Sequence, residues 1–176
     1  MIDIGFNLDC ILEKAQDNLD PSVACDTYKK LLETRAALSK IQKQLYTETK
    51  RLCLESAIAV RRENPGLNVA VIDATLKIGH SKEWMTLQPN YSDQSWELID
   101  CSPDMRRVFS ESLSIKTSLV QSSTDWAKSV AACFNVTGGT GIVMLEGKRS
   151  TIMDLCTARN ELLPLKLPSR RSRGQQ

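Results

Sequence analysis

The chain is short of the residues on which recognisable catalysis is usually built. Among 176 residues there is one histidine, His80. Any Ser–His–Asp or Cys–His relay would have to run through that ring. Nothing near it in the sequence points to one, so His80 reads as a turn residue. The six cysteines stand at 10, 25, 53, 101, 133 and 156. No two lie closer than 15 positions, so there is no C-x-x-C pair for zinc or thiol–disulfide chemistry. No window holds the roughly 18 consecutive apolar residues of a membrane span. The opening stretch, M-I-D-I-G-F-N-L-D-C, lacks a basic segment followed by an apolar run, so a secretory signal is not expected. The cysteines then read as reduced, mostly buried thiols in a cytoplasmic or otherwise intracellular, reducing compartment. The Asn135-Val136-Thr137 glycosylation pattern carries no meaning there.

Other chemistry is weakly represented. Asp93, Asp100 and Asp104 could gather near one sheet edge, but loop and capping roles explain them equally well. No enzyme motif rises above chance, and no cofactor or metal is expected.

What is present is 41% apolar and 25% charged residues, ordinary for a globular chain long enough for one domain with a core. The net charge of +2 is unevenly spread. From Pro164 onward, Lys166, Arg170, Arg171 and Arg173 stand with no acid, leaving a body of about −2. The positive charge therefore lies in a polar tail, 164–176, too short to fold alone. Such arms often touch nucleic acid or an acidic partner, and are also often only solubilising ends.

The first 64 residues read as helical. Asn7 can cap a short helix over 8–19. Asp20-Pro21 breaks it, and Pro21 suits the first turn of the next. From Ser22 to Glu63 there is no Gly and no Pro, and good helix formers dominate. Asn64-Pro65-Gly66 stops the run. Leu31, Leu38, Leu45 and Leu52 recur every seven residues, the ladder of a leucine zipper. Ala24 and Ala59 are in phase with them. The intervening a positions, Tyr28, Arg35, Gln42, Thr49 and Ser56, are poor. Self-association through this helix competes with packing in a helical hairpin or bundle. No basic block precedes the ladder, which argues against a basic-zipper protein.

After Gly66 the period becomes two. Ala70, Ile72, Ala74, Leu76 and Ile78 share one face of an expected strand. Two more strands are expected around Trp84 and Trp96, giving an antiparallel meander. Ser102-Pro103-Asp104 opens a helix with Met105, Val108, Phe109 and Leu113 on its apolar side. Ser122 to Asp125 starts another, carrying Trp126, Val130 and Phe134.

The stretch N-V-T-G-G-T-G-I-V-M-L-E-G-K-R-S-T (135–151) invites comparison with a phosphate loop. It fails the pattern. Five residues separate Gly141 from Gly147, and Arg149 follows Lys148 where Ser or Thr is needed. The intervening Ile-Val-Met-Leu is strand-like, and a buried strand cannot offer its N–H groups to phosphates. The better parse is a turn, a strand (Ile142 to Leu145), a short loop and a helix capped by Thr151 with Asp154. Lys148 and Arg149 would then sit at a helix N-terminus, where one phosphate contact is conceivable.

Two tryptophans, Trp84 and Trp96, fall on adjacent expected strands with Tyr91 between them. Exposed together they could stack bases; buried, they are core aromatics. Arg61-Arg62 ends a helix, where its charge suits the dipole. Arg106-Arg107 starts one, against the dipole.

These features describe an α+β protein with three parts: a helical arm (1–64), a β-β-β-α-β-α domain with a mainly antiparallel sheet (65–163), and a basic tail. The leading functional expectation is a non-enzymatic nucleic-acid binder that self-associates through Leu31, Leu38, Leu45 and Leu52. Its contacts would be Arg106, Arg107, Lys148, Arg149, Arg170, Arg171, Arg173, Trp84 and Trp96, weak singly and multiplied by oligomerisation. The alternative is an adaptor or inhibitor that docks a protein partner through the helical arm or a sheet edge. Neither involves a membrane.

Overall fold

The computed structural model describes residues 21–109, 118–119 and 121–162. The expected helix over 8–19, Leu113 and the basic tail lie outside the described residues. The chain forms two compact units, Met1–Leu45 and Tyr46–Gln176, with the division inside one long helix, α1 (Pro21–Glu63). Pro21 opens α1 and Arg61 and Arg62 occupy its last turn, in accord with proline's fit at a helix start and a cation's fit at its end. The stop is built as the sequence implies. The Gly66 N–H donates to Asn64 Oδ1 (3.0 Å) and the Leu67 N–H to the Asn64 carbonyl (3.2 Å).

In the first unit, α1 carries Tyr28, Leu32, Leu38, Ile41 and Leu45 exposed to solvent, with Leu31 half-buried. In the second, the same helix turns apolar side chains inward: Cys53, Leu54, Ala57, Ile58 and Val60 are fully or almost fully buried.

The second unit is built on a six-stranded sheet. Its strands are β1 (Asn68–Ile72), β2 (Thr75–Gly79), β3 (Trp84–Asn90), β4 (Ser95–Cys101), β5 (Val143–Leu145) and β6 (Lys148–Ser150). Between β4 and β5 come α2 (Pro103–Val108) and α3 (Ser123–Ala131), and α4 (Ile152–Glu161) follows β6. The strand order is β4-β3-β2-β1-β5-β6. Strands β1 to β4 form an antiparallel meander and β5-β6 an antiparallel hairpin, but β5 runs parallel to β1. The sheet is therefore mixed, which corrects the mainly antiparallel expectation. The parallel pair joins Val69 to Val143 across a long connection, and pairing between segments so far apart leaves no trace in local periodicity.

Two further corrections concern turns. The segment read as one strand through Ile78 is a hairpin about Asp73-Ala74, with Asp73 at φ 51°. Aspartate tolerates this left-handed backbone, so the chain reverses without a glycine and the alternation looks unbroken. Leu76 and Ile78 face the core as expected; Ala70 is only half-buried and Ile72 is exposed, and Val69 and Val71 take the inner face. Lys148 to Ser150 is a strand rather than a helix N-terminus. Glu146 and Gly147, at φ 48° and 76°, form the two-residue turn that right-twisted hairpins favour.

Alternation sorts the sheet residues. Val69, Val71, Leu76, Ile78, Met85, Leu87, Trp96 and Val143 join the buried residues of the helices in one core. These include Met105, Trp126, Val130 and Leu155. Trp126 stacks on Trp96 with ring centroids 4.8 Å apart, inside the range for favourable aromatic pairs. The side chains of the opposite face stay half-buried or exposed. Among the described residues, no helix is long and apolar enough to cross a membrane.

Leu54 is fully buried in this core. Leu54→Ala is expected to cost about 2–5 kcal/mol, lowering the urea midpoint of unfolding with the slope unchanged.

Candidate binding face

The register aligns side chains in rows across the outer face of the sheet. Asp100 lies beside Thr86, Thr86 beside Lys77, Lys77 beside Ala70, Ala70 beside Met144, and Met144 beside Arg149. Strands lie about 4.8 Å apart, so the row runs from an acid on β4 to cations on β2 and β6. A second row sets Asn68 beside Gly79 and Gly79 beside Trp84. Lys77 and Trp84 are therefore diagonal neighbours on one face, a spacing long side chains bridge. The Lys77 ammonium lies 4.0 Å from the centre of the Trp84 ring, a cation–π contact worth about 0.5–1 kcal/mol where water has access.

Around this pair is a concavity of about 390 Å³. Ala70, Ile142 and Met144 supply apolar surface, and Asn68, His80 and Ser81 polar groups. Gly79 is needed in its floor. Its φ is 147°, and a Cβ there would fall 2.5 Å from the Trp84 Cα, so any side chain would push β3 away. Among the described residues, no carboxylate lines the concavity. The nearby Glu83 is engaged instead by His80, with 3.0 Å between Nε2 and Oε2.

The backbone of Trp84 is fixed by Ser102. The Trp84 N–H donates to the Ser102 hydroxyl at 3.2 Å, and its carbonyl accepts from the Ser102 N–H at 2.9 Å. Ser102 precedes α2 as expected, yet its side chain makes no capping bond.

Other residues singled out in the sequence are dispersed. Trp96 is on the inner face and 5% exposed, so it cannot join Trp84 in one stacking surface. Tyr91, on the β3–β4 turn, accepts a hydrogen bond from the Thr49 hydroxyl at 3.1 Å. Arg149 pairs with Met144 on the outer face, while Lys148, one residue earlier, projects with the opposite parity. Neither lies at a helix N-terminus. That of α4 is already filled, since Asp154 accepts from the Thr151 N–H at 2.7 Å and Thr151 Oγ1 from the Asp154 N–H at 3.2 Å. The Thr151 backbone bond is the main reason the Asp154 carboxyl is held below its usual range. Arg106 and Arg107 are exposed in the last turn of the six-residue α2, with its dipole rather than against it. Leu52 packs against the core of the second unit, while Leu38 and Leu45 are exposed; the exposed apolar stripe is carried by residues before Tyr46.

The sequence did not single out Lys77, Asn68, Ala70, Ile142 or Met144 as binding residues. The signal for Lys77 was its place in the alternation. Only the hairpin at Asp73 reveals that it shares a face with Trp84.

A second cluster ties the two hairpin turns to α1. Lys50 Nζ lies 2.6 Å from Glu146 Oε1, the Asp73 N–H donates to the Glu146 carboxylate at 3.2 Å, and the Tyr46 hydroxyl donates to Asp73 Oδ1 at 3.2 Å. The hydrogen bond from Lys50 leads in pulling the Glu146 carboxyl below its ordinary range. Burial opposes the charge on Lys50, but the bond to Glu146 and its charge outweigh that and raise its pKa. Burial pushes the Cys53 thiol up to about 12, so it stays protonated and unreactive at neutral pH. Among the described residues no three or more His, Cys, Asp or Glu are grouped to hold a metal ion. Asp93 bonds to Asn90, and Asp100 accepts from the Cys101 N–H beside it.

Comparison with known proteins finds no matching family model, no matching curated protein and no matching solved structure.

The Lys50–Glu146 pair gives a pH prediction. A carboxyl whose pKa is lowered on folding stabilises the fold above its unfolded-state value and loses that contribution as pH falls through the folded-state value. Glu146 is partly exposed, so Glu146→Gln is expected to lower stability at neutral pH by only about 0.3–1 kcal/mol. Thermal melts of the two proteins should converge in acid, once the wild-type carboxyl is protonated.

Proposed function

We propose that the protein is a non-enzymatic nucleic-acid-binding protein that self-associates through the first part of α1. The observation that carries this reading is the cationic part of the outer sheet face, with Lys77 and Trp84 around a concavity and Arg149 on the strand next to its Met144 wall. Cations there neutralise phosphates, and a ring with an accessible edge or face takes a base. Stacking a base on an aromatic side chain is worth about 1–3 kcal/mol, enough to displace the weaker contact with Lys77. Arg106, Arg107 and Lys148 are exposed cations that add charge elsewhere on the second unit. The tail arginines Arg170, Arg171 and Arg173 contribute to the same reading through the sequence.

Self-association is supported by the exposed apolar side chains of Tyr28, Leu32, Leu38, Ile41 and Leu45. The same observation favours a second reading, an adaptor or inhibitor that lays this helix against a protein partner. Salt separates the two, because phosphate contacts weaken steeply with ionic strength and apolar docking does not.

Labelled single- and double-stranded oligonucleotides, titrated at low and moderate salt, test the reading directly. Full-length protein should bind with an affinity that falls steeply as salt rises. A chain ending at Leu163 lacks four basic residues, and its log–log salt slope should be shallower by up to about 3 for the single strand and about 3.6 for the duplex. Absence of binding by both chains would overturn nucleic-acid recognition and favour a protein partner. For self-association, Leu38→Asp should lower the sedimentation mass to that of one chain; an unchanged mass would remove the ladder from the interface.

A further inference from the structure

We infer that the concavity at Trp84 is a subsite for one unpaired nucleobase, so that the ligand of this face is single-stranded nucleic acid. The inference rests on the nucleic-acid reading above and narrows it.

Shape comes first. A duplex shows a protein its phosphates and groove edges, and its base faces are hidden in the stack. An aromatic ring set within a concavity can be covered only by a base that has left the stack. The volume, about 390 Å³, is at the small end of ligand sites and suits a single nucleotide unit.

The lining agrees with that occupant. Ile142, Met144 and Ala70 offer apolar surface to the flat sides of a base. Asn68 Oδ1 already accepts the Ile142 N–H at 2.7 Å, and the NH₂ of the same side chain adds a donor. Ser81 adds a hydroxyl that donates or accepts. This mixture recognises a base edge without demanding one base.

Charge completes the match. Lys77 stands over the ring face that a stacked base would take, within reach of that nucleotide's phosphate, and among the described residues no carboxylate lines the space to repel it. Its long exposed side chain can leave the ring for that phosphate while a base takes its place. Arg149 continues the row past Met144, three strands from Lys77, and offers a cation to a phosphate further along the strand. Among the described residues, the carboxylates of this face, Glu97 and Asp100, stand on the edge strand β4, on the other side of β3 from Lys77. A nucleic-acid strand running from Trp84 toward β6 leads away from them.

Equilibrium binding of the full chain to a single-stranded oligonucleotide and to a hairpin duplex of equal charge tests the inference, with thermal melts confirming that each variant is folded. Wild type should prefer the single strand. Trp84→Ala should weaken single-strand binding about tenfold or more and leave duplex binding nearly unchanged. Trp84→Phe, which keeps a ring, should restore most of the loss. Lys77→Gln changes an exposed side chain and should reduce the salt slope for the single strand by about 1. Equal binding to both ligands, with neither Trp84→Ala nor Lys77→Gln selective for the single strand, would overturn the subsite and leave general nucleic-acid binding standing. Binding to neither ligand would remove both. Should Trp84→Ala fail to fold, Trp84→Phe and Lys77→Gln decide the matter by the same criteria.

Discussion

A buried guanidinium holds together the point from which the sheet is laid out. Arg61, in the last turn of α1, is 9% exposed and donates from Nη1 to the carbonyls of Pro65 and Leu67. Those carbonyls belong to the turn between helix and first strand. The Gly141 N–H also donates to the Pro65 carbonyl, at 2.7 Å. Gly141 has no room for a side chain, since a Cβ would come within 2.0 Å of the Leu67 oxygen. The end of α1, the start of β1 and the entry to β5 thus share one small volume, and the cation gives the Leu67 carbonyl a donor and the Pro65 carbonyl a second one. The parallel pair at the centre of the sheet follows from this junction. So does the outer face, because the concavity is lined from β1, β2, the start of β3 and the entry to β5.

The outer face divides by charge. Glu97 and Asp100 lie on β4, Lys77 and Arg149 on β2 and β6, and a half-buried indole stands next to the lysine. A body that is near neutral in total is therefore polarised locally, and local potential rather than net charge governs how a charged ligand meets a surface. The proposed function depends on this segregation as much as on any one residue.

Much of the helical architecture was legible in the sequence because its signals are local. The gap in Gly and Pro from Ser22 to Glu63, the Asn64-Pro65-Gly66 stop, and the Thr151–Asp154 capping pair all describe what adjoining residues do to one another. The sheet was less legible. Asp73 turns the chain without glycine, so two strands looked like one, and the cross-strand neighbours of Lys77 stayed hidden. The union of β1 with β5 depends on residues far apart in sequence. The tryptophans show the limit most plainly. Trp84 and Trp96 both occupy strands, as expected, but register and parity put one outside and the other against Trp126 in the core. Only half of the anticipated aromatic surface exists, and the lysine that completes it was not among the residues first singled out.

The strand order also has a temporal side. The β1–β4 meander pairs neighbours in sequence and forms quickly, whereas the β1–β5 ladder must wait for residues some seventy positions further on. Until they arrive, Asn68 to Ile72 presents a bare edge of backbone donors and acceptors, in a run rich in Val and Ile, to any strand nearby. A chain emerging from the ribosome passes through this state every time it is made. The hairpin of β5 and β6 is then a late seal, and its short, basic outer strand, Lys-Arg-Ser, is a poor template for a further strand.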